Sequence, residues 1–290
     1  MSQETEETQM PLLDHLIELR RRLIYSVISF LVCFLVAFYF ANPIFNFLVQ
    51  PLTDLWQGEE SRRLIYTALH EKFFTEIKIA FFAGAFLAFP LISNQIWLFV
   101  APGLYRHEKG AFLPFLIATP FLFVAGGAFV YYFVLPVAWN FFASFEQAGG
   151  EGTLAIALEP KVDQYLSLVM RLIFAFGISF ELPVLLTLLA RVGLATSEGM
   201  RRKRRYAIVG AFVAAAVLTP PDPLSQIGLA LPIIVLYEVS IWCARLVEKK
   251  RAAREQEDDP DDEDGNIADE DIGDEDWDED EDDTEPPRPV

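Results

Sequence analysis

The sequence predicts an all-α polytopic membrane protein: six transmembrane helices, the last two short, packed as a concave bundle with both termini in the cytoplasm. Three observations predict it. Six apolar stretches punctuate the chain, at residues 23–40, 73–89, 112–135, 165–189, 206–218 and 224–246. Four of them meet or approach the about 20 residues that a helix needs to cross about 30 Å of hydrocarbon. Lys and Arg outside the stretches fall in alternate gaps, 16 on one side of the membrane against 4 on the other. Loops rich in Lys and Arg stay cytoplasmic, which puts the 16, and with them both termini, on the inner side.

The net charge of −18 belongs to one end of the chain. From Glu255 onward there are 21 acidic residues and one basic, Arg288, whereas the preceding 254 residues carry 20 acidic and 22 basic. A segment so acidic and so poor in apolar side chains cannot offset its ordering entropy and is expected to be disordered. It reads as a solubilising tail or as a docking site for a basic partner. The expected organisation is therefore 1–22, a cytoplasmic segment with an amphipathic lead-in; 23–246, the six-helix membrane domain; and 247–290, the cytoplasmic acidic tail. Cys33 and Cys243 both lie in apolar stretches, where Cys behaves as a small hydrophobe, so no redox or metal role is indicated. The first nineteen residues carry Glu and Asp in place of a basic signal-peptide start, so the first stretch is expected to be kept as a helix.

In chain order, Leu12, Leu16, Leu19 and Leu23 recur at helical spacing. They predict a lead-in lying along the inner membrane surface before the chain turns in. The gap 42–72 contains Pro43 and Pro51 and reads as short interfacial helices forming an outer cap. The gap 136–164, with Gly149, Gly150 and Gly152 as a loop, reads as a second cap. The stretch 206–218 makes only about 20 Å of helix. It is pinned at the inner surface by basic residues 201–205 and followed by Thr219-Pro220-Pro221-Asp222-Pro223, which cannot be helical throughout. Either the outer leaflet is locally thinned here, the turn lines a wet recess, or a longer final helix tilts to compensate.

Charges inside apolar stretches need a reason. Glu181 stands well inside the fourth, where a charged group costs about 2.5–3.5 kcal/mol on insertion scales. It faces a cavity or partner, or it is a neutral acid hydrogen-bonded to a neighbouring helix. Pro183 just beyond it is expected to kink the helix. Arg171 is an unlikely partner for it, ten residues and about 15 Å away on the same helix. Lys78 and Glu238 lie nearer helix ends, where long side chains reach water, and read as structural. Asp222 reads as a cap for the final helix or as a functional acid. On the inner side, Glu18 can pair with Arg22 at i+4. Glu108 can pair with Arg106 or Lys109 in solvent, where such pairs are worth little.

These residues do not stand alone. His15-Leu-Ile-Glu18-Leu-Arg20, Pro51-Leu52, Gln95-Ile-Trp-Leu-Phe99-Val-Ala-Pro-Gly-Leu104-Tyr-Arg-His-Glu108, Ser179-Phe-Glu181-Leu-Pro183 and Leu218-Thr-Pro-Pro-Asp222 follow in order across residues 11–245. Together they resemble the TatC family, the polytopic core of the twin-arginine protein translocase. The resemblance leaves out the acidic tail. It implies a receptor in the bacterial inner membrane for signal peptides with paired arginines, exporting folded proteins at the expense of the proton gradient. It implies that Glu18 and Glu108 engage the arginines, with Arg20, Phe99 and Leu104 in the same surface. Pro51 would belong to the outer cap, Glu181 would contact single-span subunits of the TatA/TatB type, and Asp222 falls on a position implicated in translocation. Further copies of the chain are implied partners; a nucleic acid, a cofactor and a metal are not. Arg171 departs from the pattern, where an apolar residue is expected.

The implied pairing makes physical sense. Adjacent side chains of an extended peptide point to opposite sides. Two neighbouring arginines therefore need two carboxylates from separate segments. Guanidinium takes a carboxylate through two parallel hydrogen bonds, whereas ammonium is a point charge, so Lys-Lys should bind less well than Arg-Arg.

Two other classes compete. A proton-coupled secondary transporter of a small solute would use Glu181, but such folds show internal repeats and none is visible here. Gly177-Ile-Ser179-Phe resembles a nucleophile motif of an intramembrane protease, but Ser179 has no activating base in the spans, since His15, His70 and His107 all lie outside them. No P-loop or metal motif appears, and no enzyme is expected.

Overall fold

The computed structural model describes residues 12–56, 62–100, 113–147, 149–150, 154–218 and 223–257. No strand occurs among the described residues; isolated bridges there include Ile65–Lys161 and Gln147–Ile156. Neither Gly nor Pro falls between Leu12 and Tyr39, and the whole segment is one helix, α1 (Leu12–Tyr39, 28 residues). The expected turn near Arg22 is therefore absent, because nothing in the segment interrupts the backbone hydrogen bonds. The lead-in and the first span are one rod of about 42 Å.

Proline positions shape the rest. In α2 (Ala41–Leu55), Pro51 is buried beside Leu48, Val49 and Leu52. Helix α3 (Glu71–Val100) runs 30 residues through Pro90. Helix α4 (Leu113–Phe129) passes through a five-residue π-turn, Val130–Val134, into α5 (Leu135–Ala143). Pro136 opens the gap read from the sequence as the second cap. It occupies the first turn of α5, where the π-turn before it absorbs the lost donor and the ring's clash. Helix α6 (Val162–Phe180) stops at Glu181, and α7 (Leu182–Arg191) restarts with Pro183 in its first turn, where its missing N–H would have no partner anyway. Helices α8 (Ser197–Arg202), α9 (Arg204–Leu218) and α10 (Pro223–Glu257) follow.

Among the described residues, five helical rods are long and apolar enough to cross a membrane: His15–Tyr39, Glu71–Phe99, Pro114–Ala143, Val162–Arg191 and Gln226–Lys250. The sixth predicted span, α9, has 15 residues and reaches only about 22 Å. Large apolar side chains stand exposed on these rods, among them Leu35, Phe121, Leu185, Leu231 and Trp242. Contiguous apolar surface of this kind suits lipid, and the chain is a multi-pass membrane protein.

Glycines set the helix crossings. A Cβ on Gly84 of α3 would come within 2.7 Å of the Phe34 Cα, so α1 and α3 touch backbone to backbone. At the α4–α6 crossing, a Cβ on Gly126 would meet the Phe176 carbonyl oxygen at 2.6 Å, and one on Gly177 would meet the Phe123 ring at 2.7 Å. Above these crossings the two predicted caps are one structure. The Ile65 N–H donates to the Pro160 carbonyl and the Val162 N–H to the Ile65 carbonyl, at 3.2 and 3.1 Å. The Glu146 carboxylate accepts from Arg62 and, at 2.8 Å, from the Leu158 N–H. The Tyr131 and Tyr165 hydroxyls donate to the carbonyls of Phe47 and Leu48.

Candidate functional site

The N-terminal end of α1 and the C-terminal end of α3 meet as an antiparallel ladder. His15, Glu18 and Arg22 share one face of α1 at i, i+3 and i+7, and Gln95 and Phe99 are one turn apart on α3. The His15 and Phe99 rings stack, with centroids 4.4 Å apart and planes at 24°. Arg22 donates to Glu18 Oε1 at 3.0 Å and to Gln95 Oε1 at 3.3 Å. The Glu18 side chain keeps 22% of its exposure, so it is oriented by the protein yet reachable. Arg22 holds one carboxylate oxygen and leaves the other without a partner among the described residues. The fold thus brings Glu18 and Phe99 into one corner. It does not bring Arg20 there: two positions on from Glu18 is about 200° round the helix, and Arg20 is exposed. Leu104 and Glu108, the other predicted members, lie outside the described residues.

A second polar cluster crosses three helices deeper in the membrane domain. The Trp97 indole N–H of α3 donates to the Thr119 hydroxyl of α4 at 3.3 Å. Thr119 and the backbone of Phe123 lie against the Glu181 carboxylate. The glycine crossing places it there: Phe123 sits against Gly177, and one turn further along each helix Thr119 meets Glu181. Glu181 Oε1 is buried without a hydrogen-bond partner, so the cluster leaves one strong acceptor unused. The expected break beside Pro183 is present, at Glu181 itself.

The other predicted residues fall into place more simply. Pro51 is buried in α2, within the cap, and Asp222 lies outside the described residues, as does the acidic tail beyond Glu257. Lys78 pairs with Asp163 at 2.5 Å and Glu238 with Arg204 at 2.5 Å, both ties between helices. The Ser179 hydroxyl donates to the Ala175 carbonyl at 2.7 Å, which commits it to the helix backbone. Sequence reasoning passed over His15, Gln95, Trp97 and Thr119 as participants. The first two carried a usable signal, since each stands one turn from a chosen residue; Trp97 and Thr119 are joined only by tertiary packing.

The chain resembles known proteins over most of its length. Residues 14–232 match the family model "Sec-independent protein translocase protein (TatC)". A relative of that description from Magnetococcus marinus is 51% identical over 249 residues, 86% of this chain and 89% of its own. The Escherichia coli K12 protein of the same description is 42% identical over 251 residues, 87% of this chain and 94% of its own. A solved structure described as the twin-arginine translocase receptor TatC superposes with a TM-score of 0.70 at 40% identity, covering 81% of this chain and 99% of that one.

Proposed function

The chain belongs to the TatC family of Sec-independent protein translocase proteins, and from that premise we propose that it is the signal-peptide receptor of a translocase for folded proteins. The ligand is a twin-arginine signal peptide, gripped by Glu18 on one side and Glu108 on the other. The observation that carries this reading is the α1–α3 corner. Arg22, itself held by Gln95, fixes one oxygen of Glu18, the other has no partner among the described residues, and the stacked His15–Phe99 pair beside it offers an apolar wall. The chain from Val100 onward, which carries Leu104 and Glu108, leaves α3 from this same corner. A guanidinium can take the free carboxylate oxygen without displacing Arg22.

The remaining assignments complete the proposal. The termini are cytoplasmic and the protein sits in a bacterial inner membrane, with six spans counting the short α9. Arg20 contributes charge on the outer rim of the receptor corner. Glu181, with its unused oxygen, receives a polar group from single-span subunits of the TatA/TatB type. Pro51 shapes the outer cap, Asp222 acts in translocation, further copies of the chain assemble around the same cargo, and the proton gradient drives transport.

The test is crosslinking from photoreactive residues beside the two acids, at positions 17 and 109, to signal peptides carrying Arg-Arg or Lys-Lys. Arg-Arg should label both positions about tenfold more than Lys-Lys, the worth of one charged bidentate contact. Equal labelling by both peptides, together with unchanged binding to Glu18→Ala and Glu108→Ala variants, would reject the receptor assignment.

A further inference from the structure

Arg171 is exposed on α6, nine residues beyond Val162 and so about 13.5 Å along the helix from its start. Among the described residues it makes no hydrogen bond or ion pair. The charges nearest the start of α6 are already committed, Lys161 to Glu71 at 3.4 Å and Asp163 to Lys78 at 2.5 Å. Glu159 precedes the helix altogether, too far along the axis to reach Arg171. An unpaired guanidinium at this depth is costly in hydrocarbon and needs an anion or water.

Arg171 lines a recess of about 790 Å³ whose wall also carries Gln164, Ser167, Leu168 and Leu218 and, toward the start of α6, the charged Glu159, Lys161 and Asp163. Leu218 is the last residue of α9, and α9 is about 8 Å shorter than the hydrocarbon core. The membrane surface therefore sinks at this point to the level where α9 ends, which is where Arg171 waits. Ser167 and Gln164 stand one and two turns nearer the surface on the same face of α6. The lining is thus graded, with Arg171 deepest, the neutral Gln164 and Ser167 above it, and Glu159 with the ion-paired Lys161 and Asp163 at the mouth.

We infer that this recess binds the phosphate of an anionic phospholipid drawn down from the bilayer surface, with the phosphodiester on Arg171. Guanidinium takes two phosphate oxygens at once, Gln164 and Ser167 meet the ester and glycerol oxygens, and Leu168 and Leu218 contact the chains. A partner helix fits less well. Close helix approach needs small residues, and the exposed positions of α6 here are Gln164, Arg171 and Ile178, with Leu168 half-buried between them. The inference rests on the orientation proposed above only in assigning the lipid to the outer leaflet.

The experiment uses the full chain in phosphatidylcholine nanodiscs doped with photoactivatable phosphatidylglycerol. Labelling of α6 should fall about tenfold in Arg171→Gln and stay within about twofold in Arg171→Lys and in the surface control Lys72→Gln. Inorganic phosphate in solution should not compete. Equal labelling of wild type and Arg171→Gln in folded protein would overturn the proposal. Competition by inorganic phosphate would overturn it in favour of a free anion. A photoreactive residue at 171 that captures a polypeptide instead of lipid in native membranes would overturn it in favour of a protein partner. Labelling of Gln164→Cys by an impermeant thiol reagent, applied to either face of sealed vesicles, tests the orientation separately.

Discussion

Glu181 shows at the scale of one residue how function is written as a local defect. Its carboxylate rests on Thr119 and the Phe123 backbone, but Oε1 is buried with nothing to accept from. An unmet buried acceptor costs about 1–3 kcal/mol, and an apolar side chain of similar size removes that cost. Glu181→Leu should therefore raise the thermal midpoint of the isolated chain in detergent while abolishing co-purification of single-span subunits. A lower midpoint, with assembly intact, would make Glu181 a structural acid. Glu18 is the opposite case. Its i+4 partner Arg22 was legible from spacing alone, and the structure has that pair at 3.0 Å. What spacing could not supply was Gln95 on α3, 73 residues away, which completes the hold on Arg22. Local partners follow from helical periodicity; tertiary ones need the packing of two helices, and one sequence does not reveal it.

Among the elements, the crossing of α4 over α6 decides where Thr119 and Glu181 meet. A Cβ at position 126 would press on the Phe176 carbonyl, a backbone atom that cannot swing away, whereas one at position 210 of α9 meets nothing within 4 Å. Gly126→Ala should destabilise the chain by about 1–3 kcal/mol, as overpacking does. Gly210→Ala should be neutral or stabilise it by about 0.5–1 kcal/mol, since Ala loses less backbone entropy in a helix. Thermal midpoints of the two variants side by side check this, and equal effects would mean the crossing is looser than drawn. The cap gives a pH test. Hydrogen bonds from Arg62, and then from the Leu158 N–H, hold the Glu146 carboxyl below its ordinary value of 4.5. A depressed folded value means the contact stabilises the cap above that ordinary value and is lost as pH falls through the folded one. Trp56, whose ring lies 5.9 Å from the Arg62 guanidinium, reports the loss by fluorescence. Glu146→Gln should show at neutral pH the emission that the parent chain reaches only in acid. If the acid transition persists in Glu146→Gln, another group controls the cap. Proline punctuation was legible in the sequence beside Glu181, whereas the π-turn that accommodates Pro136 has no sequence signal of its own.

The whole molecule contains rods of very unequal length, and that inequality was visible before any coordinates: 206–218 is the shortest apolar stretch and α9 the shortest candidate span. The extremes pull the bilayer in opposite directions. Helices α1 and α3, at 28 and 30 residues, reach about 42 and 45 Å and favour thick membranes or a tilt. Helix α9 reaches about 22 Å and favours a thin one. Tilting relieves a long helix cheaply, and its polar ends can simply project, as the charged N-terminal turns of α1 do. A short helix has neither escape, since tilting shortens its span further. Its only remedy is local thinning, at a cost of fractions of a kcal/mol per Å over a deficit of about 8 Å. The short rod should therefore set the preferred thickness. In nanodiscs of phosphatidylglycerol with matched headgroups, the thermal midpoint should rise as the acyl chains shorten, until the hydrocarbon approaches the length of α9. Lengthening α9 by one turn after Ala215 should shift that optimum toward longer chains by about 5 Å of hydrocarbon. A midpoint that instead climbs with chain length, and ignores the inserted turn, would show that the long rods govern the fit and that α9 is shielded from lipid by its neighbours.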